Sequence, residues 1–277
     1  MCYVSHVETP WLQTLLAAAL GGLTVKLLDI AWAAYIRRSE ASASAKKIVA
    51  RHLDPILKAA DELVGKLCSL ARKDFTGVVT RANVDRELGV DFGNILYLFA
   101  QFWCRIEILR KESVYVEIGR DATGDKLRDF FACLESTGVR VVDRAYQRGI
   151  GEALITERGT GGFDCMSFHD FMEALGKPDA TVKQWTHPLT AILWMACRGR
   201  SATNMQERQR VLLYGVVIHA LIDTLDPEHE TASHRPSYPN KLSKKTRKEL
   251  QFRVFKTYLP FVKATEKYTD ARRPSVV

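Results

Sequence analysis

Three residues in the second half of the chain have the chemical types and the spacing of a metal or acid–base site. His219, Asp223 and Asp226 stand at positions i, i+4 and i+7 of an apolar stretch. On an α-helix this spacing places the three side chains on one face. One imidazole and two carboxylates on a single face could hold a divalent metal or exchange a proton with a substrate.

A second histidine–aspartate pair, His169 and Asp170, could add ligands from another helix. Some metal-dependent phosphohydrolases use such a doublet, so a hydrolase built on these five residues is one hypothesis. In the alternative, structural interpretation, His219 bonds to a carboxylate one turn away and Asp170 is an acid at a helix N-terminus. Asp223 and Asp226 would end a helix, where the macrodipole disfavours acids, so a metal, an arginine or water should compensate them.

The remaining motifs do not support an enzyme with a cofactor. The glycine-rich run 159–162 lacks the lysine and the hydroxyl residue of a phosphate-binding loop, and it follows no predicted strand. No serine stands in a G-x-S-x-G context. The six cysteines are spread singly, without metal-ligand spacing, as in a protein with free thiols from a reducing compartment. We therefore expect no cofactor and a protein that is not an enzyme.

An arginine stripe at Arg140, Arg144 and Arg148 has the four-residue spacing of one helical face. Such a stripe can bind phosphate or the acidic face of a partner. From the sequence we favour a solvated face with local ion pairs, because exposed arginines commonly have that role.

The positive charge of the chain is concentrated in its last 43 residues. The whole sequence carries a net charge of +8, whereas the segment 235–277 alone holds twelve Lys or Arg and three acids. A basic amphipathic helix here, capped by Asn240 or Ser243, would suit an anionic lipid surface or the phosphates of a nucleic acid. Alternatively, the helix packs on the protein and its lysines face water. The residues expected to contact an anionic surface or a nucleic acid are Lys241, Lys244, Lys245, Arg247, Lys248 and Lys256.

The most apolar stretch of the chain runs from Trp11 to Ile36 and predicts a membrane anchor. A spanning helix needs about 20 mostly apolar residues, whereas the unbroken run 15–25 supplies eleven. Lys26 and Asp29 follow this run, and their i, i+3 spacing lets the two charges meet on one face near the end of the span. The residues of the predicted anchor are Trp11, Leu15, Leu16, Leu20, Gly21, Gly22, Lys26, Asp29 and Trp32.

The flanks of this stretch favour insertion with a defined orientation. Trp11 on one side and Trp32 and Tyr35 on the other resemble the aromatic belts of membrane interfaces. Five Lys or Arg follow between positions 37 and 51 and none precedes the stretch. The positive-inside rule then places the N-terminus outside and the bulk of the chain in the cytosol. Small residues four apart, at 17 and 21 and at 18 and 22, would let such helices self-associate.

The periodicity of the remaining chain predicts an all-α multi-helix bundle behind the N-terminal hydrophobic helix. Asp54 and Pro55 have the types of an N-cap and a first helical residue, which would start a new helix there. Further helices are expected over 92–109, 126–135, 139–156, 168–175, 180–198 and 206–225, the last at the centre of the core. The expected parts are an anchor (1–38), a helical bundle (39–234) and a basic tail (235–277).

We therefore expect a single-pass protein of the cytoplasmic membrane that acts by oligomerisation or by binding a partner at the cytosolic face. A bacterial toxin-like or defence effector would have this plan. The alternatives are the metal-dependent hydrolase at His219, Asp223 and Asp226, and a soluble nucleic-acid-binding protein that uses the basic segment. The apolar stretch has two alternatives of its own, a helix packed on protein and a signal peptide. The signal peptide is disfavoured because no Lys or Arg precedes the stretch.

Overall fold

The computed structural model describes residues 10–76, 89–159, 161–177, 179–198 and 201–272, with the backbone alone for residues 10–25, 202 and 203. The protein is all-α: of the residues that the structure describes, 72% lie in helices and 3% in strands. The chain divides into two compact units, and the boundary between them follows Ser44. The basic segment that starts at Arg235 belongs to the second unit.

Nine α-helices lie within the described ranges. They are α1 (Pro10–Arg72), α2 (Val90–Glu112), α3 (Ala122–Glu135), α4 (Arg144–Ala153), α5 (Phe168–Gly176), α6 (Thr181–Cys197), α7 (Ala202–Leu225), α8 (Lys244–Glu249) and α9 (Glu266–Thr269). Short 3-10 helices form at Ile118–Arg120 and Pro239–Lys241, and a π-helix over Leu250–Tyr258 continues α8. Strands β1 (Ile155–Glu157) and β2 (Phe163–Cys165) form an antiparallel hairpin.

Helix α1 continues without a break where the sequence predicts a new helix. The expected start at Asp54 and Pro55 is wrong, because Pro55 lies inside α1. A proline inside a helix removes one backbone hydrogen bond and disfavours the helix by about 3 kcal/mol. Burial offsets this penalty, since His52, Ile56 and Leu57 around the proline are at most 7% exposed. Packing therefore overrides the local signal at this position.

Helix α7 forms the centre of the core, as predicted. Its apolar side chains from Val211 to Ile222 are at most 4% exposed. Two buried hydroxyl groups fix its neighbours: the indole N–H of Trp103 in α2 donates to the Tyr214 hydroxyl at 2.7 Å, and the Tyr238 hydroxyl donates to the carbonyl of Leu212 at 3.2 Å. The core helix is therefore held by specific hydrogen bonds as well as by apolar contact.

The crossing of α2 and α4 depends on a glycine. A Cβ atom added at Gly151 in α4 would lie 2.8 Å from the carbonyl oxygen of Trp103 in α2, and 2.9 Å from Cγ of Glu107. The first of these atoms is backbone and cannot move without shifting α2. Gly151 therefore sets how closely the two helices approach.

Two features near the hairpin differ from the sequence prediction. The helix expected over 139–156 begins later, at Arg144, because the side chain of Asp143 accepts a hydrogen bond from the backbone N–H of Ala145 and caps the helix there. The hairpin was missed, since strands of three residues are too short to show a two-residue period. The predicted loop 158–163 connects its two strands.

Replacing Gly151 by Ala tests the helix crossing. Because the added methyl group meets backbone atoms, we expect the free energy of unfolding to fall by about 1–3 kcal/mol. Urea denaturation of the full chain measures the change. Gly176→Ala is the matched control, since no atom lies within 4 Å of a Cβ there. Equal stability of the two variants would contradict this description of the crossing.

Candidate functional site

The cluster predicted at the end of α7 forms in part. His219 is 2% exposed, and its Nε2 lies 3.7 Å from Oδ2 of Asp223. His229, in the loop after α7, places its Nε2 3.5 Å from Oδ1 of the same carboxylate. The structure therefore gathers two histidines around Asp223, and the sequence pattern indicated only the first of them.

The C-terminal segment supplies further partners for Asp223. Nζ of Lys267 in α9 lies 2.7 Å from Oδ2 of Asp223, and the hydroxyl of Tyr268 donates a hydrogen bond to the same oxygen. The ring of Tyr268 also packs edge-on against His219, with 5.5 Å between centroids. Lys267 thus neutralises an acid that the macrodipole of α7 disfavours. The compensating partner that the sequence required is a lysine from a distant segment.

Asp226 has a different role from Asp223. Its carboxylate accepts hydrogen bonds from the backbone N–H groups of Glu230, Thr231 and Ala232, at 2.9, 3.0 and 2.8 Å. These bonds compensate its charge and hold the loop that follows α7. Of the three residues on the predicted face, the structure therefore brings His219 and Asp223 together and engages Asp226 with backbone.

Burial governs the electrostatics of this cluster. Burial lowers the pKa of His219 to about 4, although the Asp223 carboxylate opposes the shift, so the imidazole is neutral at pH 7. Burial works to raise the pKa of Asp223, but His219 and the hydrogen bonds from Lys267 and Tyr268 outweigh it and hold that pKa below its usual value. Both ring nitrogens of His219 and Oδ1 of Asp223 have no hydrogen-bond partner among the described residues. A metal could use these atoms, but the Lys267 ammonium opposes a second cation at the same carboxylate.

His169 and Asp170 lie in the first turn of α5 and group with Glu173. The possible ligand atoms of the three lie within 4.8 Å of one another, and all three residues are exposed. Ser167 caps the helix: its hydroxyl accepts from the backbone N–H of Asp170 at 3.2 Å and donates to the Asp170 carboxylate at 2.6 Å. Glu173 pairs with Lys177 at 2.7 Å. These contacts agree with the structural interpretation of Asp170 as an acid at a helix N-terminus.

The basic segment packs on the other helices of the second unit. Ser243 caps α8 as predicted, because its hydroxyl accepts a hydrogen bond from the backbone N–H of Thr246 at 3.1 Å. The apolar side of the segment, at Leu250, Val254 and Leu259, is fully buried. The alternative in which this helix docks on the protein is therefore the one that the structure supports.

The charged side of the segment divides into engaged and exposed residues. Lys241 pairs with Asp74 at 3.0 Å, and Arg247 donates to the carbonyl of Leu242. Phe252, on the exposed side, is 57% exposed. The remaining predicted contact residues are exposed, and within the described chain no ion pair involves them. We call this surface the basic face; it consists of Lys244, Lys245, Lys248, Phe252 and Lys256.

The first unit exposes large apolar side chains. Leu28, Trp32 and Tyr35 are 69%, 64% and 65% exposed. Several predicted anchor residues lie outside the residues whose side chains are described; they are Trp11, Leu15, Leu16, Leu20, Gly21 and Gly22. Among the described residues, no helix combines the length and the apolar character that a membrane span requires.

The predicted arginine stripe is split by the fold. Arg140 precedes α4 and pairs with Asp143 at 2.8 Å. Arg144 and Arg148 lie on α4 and both contact Glu135, the last residue of α3. Glu135 could not be identified as their partner from the sequence, because a partner on another helix leaves no signal in local spacing.

Comparison with known proteins gives no functional lead: no family model and no curated protein matches the sequence, and no solved structure matches the fold.

The buried imidazole predicts a defined pH dependence of stability. The pKa of His219 is about 4 in the folded protein and 6.5 ordinarily, so between these values the unfolded chain binds a proton that the folded chain does not. The free energy of unfolding therefore does not depend on the protonation of this group above pH 6.5. It falls by about 3 kcal/mol as the pH falls from 6.5 to 4. Urea denaturation at pH 7, 5.5 and 4.5 measures it. His219→Gln should show a flatter dependence; parallel curves for the two proteins would refute the assignment.

Proposed function

We propose that the protein is attached to a membrane through residues 11–36 and acts there without catalysis, by binding a partner or further copies of itself. Its helical unit lies in the cytosol. The observation that carries the proposal is the exposure of apolar side chains on the described part of this segment, residues 26–36.

The apolar surface extends around most of the helix. Leu27, Leu28, Ile30, Trp32 and Tyr35 are 57–69% exposed. At about 100° per residue, their positions spread over roughly 200° of the helix circumference. A helix that docks on one partner helix presents a stripe about 100° wide. An apolar arc of twice that width favours contact with lipid, which surrounds a helix, rather than packing in a single protein groove.

The two charges of the segment are also compatible with contact between the helix and lipid. Lys26 and Asp29 share the strip that the apolar arc leaves open, by the same helical geometry. A charge at the bilayer centre costs about 2.5–3.5 kcal/mol, but near the end of a span a lysine stem reaches the interface. The pair therefore lies toward one end of the inserted segment, beside the aromatic residues Trp32 and Tyr35.

The orientation and the mode of action follow from flanking residues. Arg37, Arg38, Lys46 and Lys47 come directly after the apolar arc, so the positive-inside rule favours a cytosolic helical unit. The small residues at 17, 18, 21 and 22 favour close approach of such helices within a membrane. Homo-oligomerisation is therefore part of the proposal, and a toxin-like or defence effector is the class of protein that would use it.

Fractionation of the full chain tests the attachment. We expect the protein to sediment with membranes and to require detergent for release. Leu20→Arg should lower membrane partitioning on the order of a hundredfold, because the charge falls near the middle of the span. Val114→Arg is the control, since Val114 is 67% exposed in the second unit. Recovery of the unaltered chain in the soluble fraction without detergent would overturn the proposal.

A second contact is supported by the basic face. It combines four ammonium groups that form no ion pair within the described residues with the exposed ring of Phe252. An anionic lipid surface attracts each basic residue by about 1 kcal/mol, and an aromatic ring partitions into the interface. We propose that the basic face binds anionic lipid; binding to nucleic acid is the outcome that would replace this proposal. A hydrolase has less support, because Lys267 and the backbone engage its proposed carboxylates.

Charge reversal on the basic face separates these possibilities. Lys248→Glu with Lys256→Glu should lower the preference of the full chain for anionic over neutral vesicles by at least about tenfold. Lys58→Glu with Lys183→Glu, two exposed lysines elsewhere, should leave the preference unchanged. Vesicle flotation measures the ratio. An unchanged ratio, together with salt-dependent nucleic-acid binding that the first pair abolishes, would favour the nucleic-acid alternative.

A further inference from the structure

A cavity of about 540 Å³ lies beside α3 and α4, entirely within the second unit. Its lining includes four arginines, Arg110, Arg128, Arg144 and Arg148, and one carboxylate, Glu135. We infer that this cavity binds the phosphate group of a small phosphorylated metabolite. The proposed membrane attachment plays no part in this inference.

Three of the guanidinium groups converge on one carboxylate. Nη2 of Arg110 lies 2.6 Å from Oε1 of Glu135, and Nε of Arg144 lies 2.8 Å from Oε2. Arg148 donates to both oxygens, at 3.3 and 3.1 Å. The three arginines come from α2 and α4, and Glu135 ends α3, so the fold assembles a cationic group that no single helix contains.

The cluster carries more positive than negative charge. Burial works to raise the pKa of Glu135, but the hydrogen bond from Arg148 and the charge of Arg110 hold it below its usual value, so Glu135 is ionised. One carboxylate neutralises one of the three guanidinium groups. A second acid, Glu107, contacts Arg110, so two carboxylates face three guanidinium groups and one positive charge is left over. Burial raises the pKa of Glu107.

The fourth arginine of the lining is already neutralised. Arg128 pairs with Asp125 of its own helix at 2.5 Å and lies 3.6 Å from Asp129. Within the described residues, Arg144 and Arg148 share the single carboxylate of Glu135 as their ion-pair partner, and their side chains are 55% and 38% exposed at the cavity. An anion that reaches the cavity from solvent would meet these two side chains.

The geometry of the arginines favours phosphate. Arg144 contacts Glu135 through Nε, which leaves both of its terminal amino groups without a described partner. A guanidinium fork of this kind matches two oxygens of one phosphate. A carboxylate ligand would gain less binding free energy than a phosphate, because the carboxylate of Glu135 already contacts the same guanidinium groups.

The rest of the cavity suits the body of a small molecule. Its volume falls in the range of metabolite pockets, about 300–1,000 Å³. Leu109 and Phe131 form a buried apolar wall, and Tyr258 of the π-helix adds an aromatic edge. A phosphate ester with an organic body therefore fits this cavity better than inorganic phosphate alone.

A purely structural role for the cluster makes a different prediction. Arg110, Glu135 and Arg148 also join α2, α3 and α4, so their loss would destabilise the protein with or without a ligand. Arg144 separates the two roles, because it is more than half exposed and contacts the cluster at its edge. Arg140 is a matched control, an arginine of the same segment whose partner Asp143 lies outside the cavity lining.

Calorimetric titration of the full chain in detergent tests the inference. The probes are inorganic phosphate, a nucleoside monophosphate and a sugar phosphate. We expect at least one ester to bind more tightly than inorganic phosphate, and Arg144→Ala to weaken that binding by at least about tenfold. Arg140→Ala should bind like the unaltered protein. The ester that binds more tightly identifies the body of the ligand.

A second variant keeps the test independent of folding defects. Glu135→Gln removes the competing carboxylate, so it should lower the melting temperature without ligand and show a larger rise on addition of the ester than the unaltered protein. The inference is overturned if no probe binds at millimolar concentration. It is also overturned if Arg144→Ala and Arg140→Ala bind the ester equally well, or if Glu135→Gln gains no additional stabilisation from it.

Discussion

Helix α7 is apolar on every side between Val211 and Ile222, and the helical unit depends on covering it completely. Such a helix is stable only when other elements surround it. Helices α3 and α6 pack along it, and α2 contributes the hydrogen bond from Trp103. The polar side chains at the two ends of α7 have partners of their own. The buried guanidinium of Arg208 donates to two carbonyls at the end of α6, and Lys267 reaches Asp223 at the other end.

The N-terminal segment of α1 has a similar composition and the opposite exposure. Leu28 and Trp32 are more than 60% exposed, whereas the apolar side chains of α7 are almost fully buried. Packing against the rest of the chain stabilises α7. The exposed apolar side chains of the first unit therefore gain no such stabilisation from contacts within the chain. A surface that is apolar around most of a helix requires a medium that surrounds it, and this requirement is the physical basis of the proposed membrane attachment.

Local sequence signals identified the features that depend on neighbours along the chain, and missed those that depend on packing between helices. The caps at Ser167 and Ser243 and the core helix were predictable from residue types and periodicity. The continuity of α1 through Pro55 was not, because burial on both sides outweighs the proline. At the candidate sites, spacing placed His219 beside Asp223. It could not indicate Lys267 or the convergence on Glu135, since these partners are far apart in sequence.

The proposed membrane attachment requires lipid to cover the apolar arc of the first unit. A photo-reactive amino acid placed at position 28 of the full chain in native membranes tests this most directly, with position 115, where Tyr115 is 99% exposed, as the reference. After irradiation, mass spectrometry distinguishes lipid adducts from protein adducts. We expect lipid adducts at position 28 and none at position 115. Adducts to protein alone at position 28, or no difference between the two positions, would contradict it.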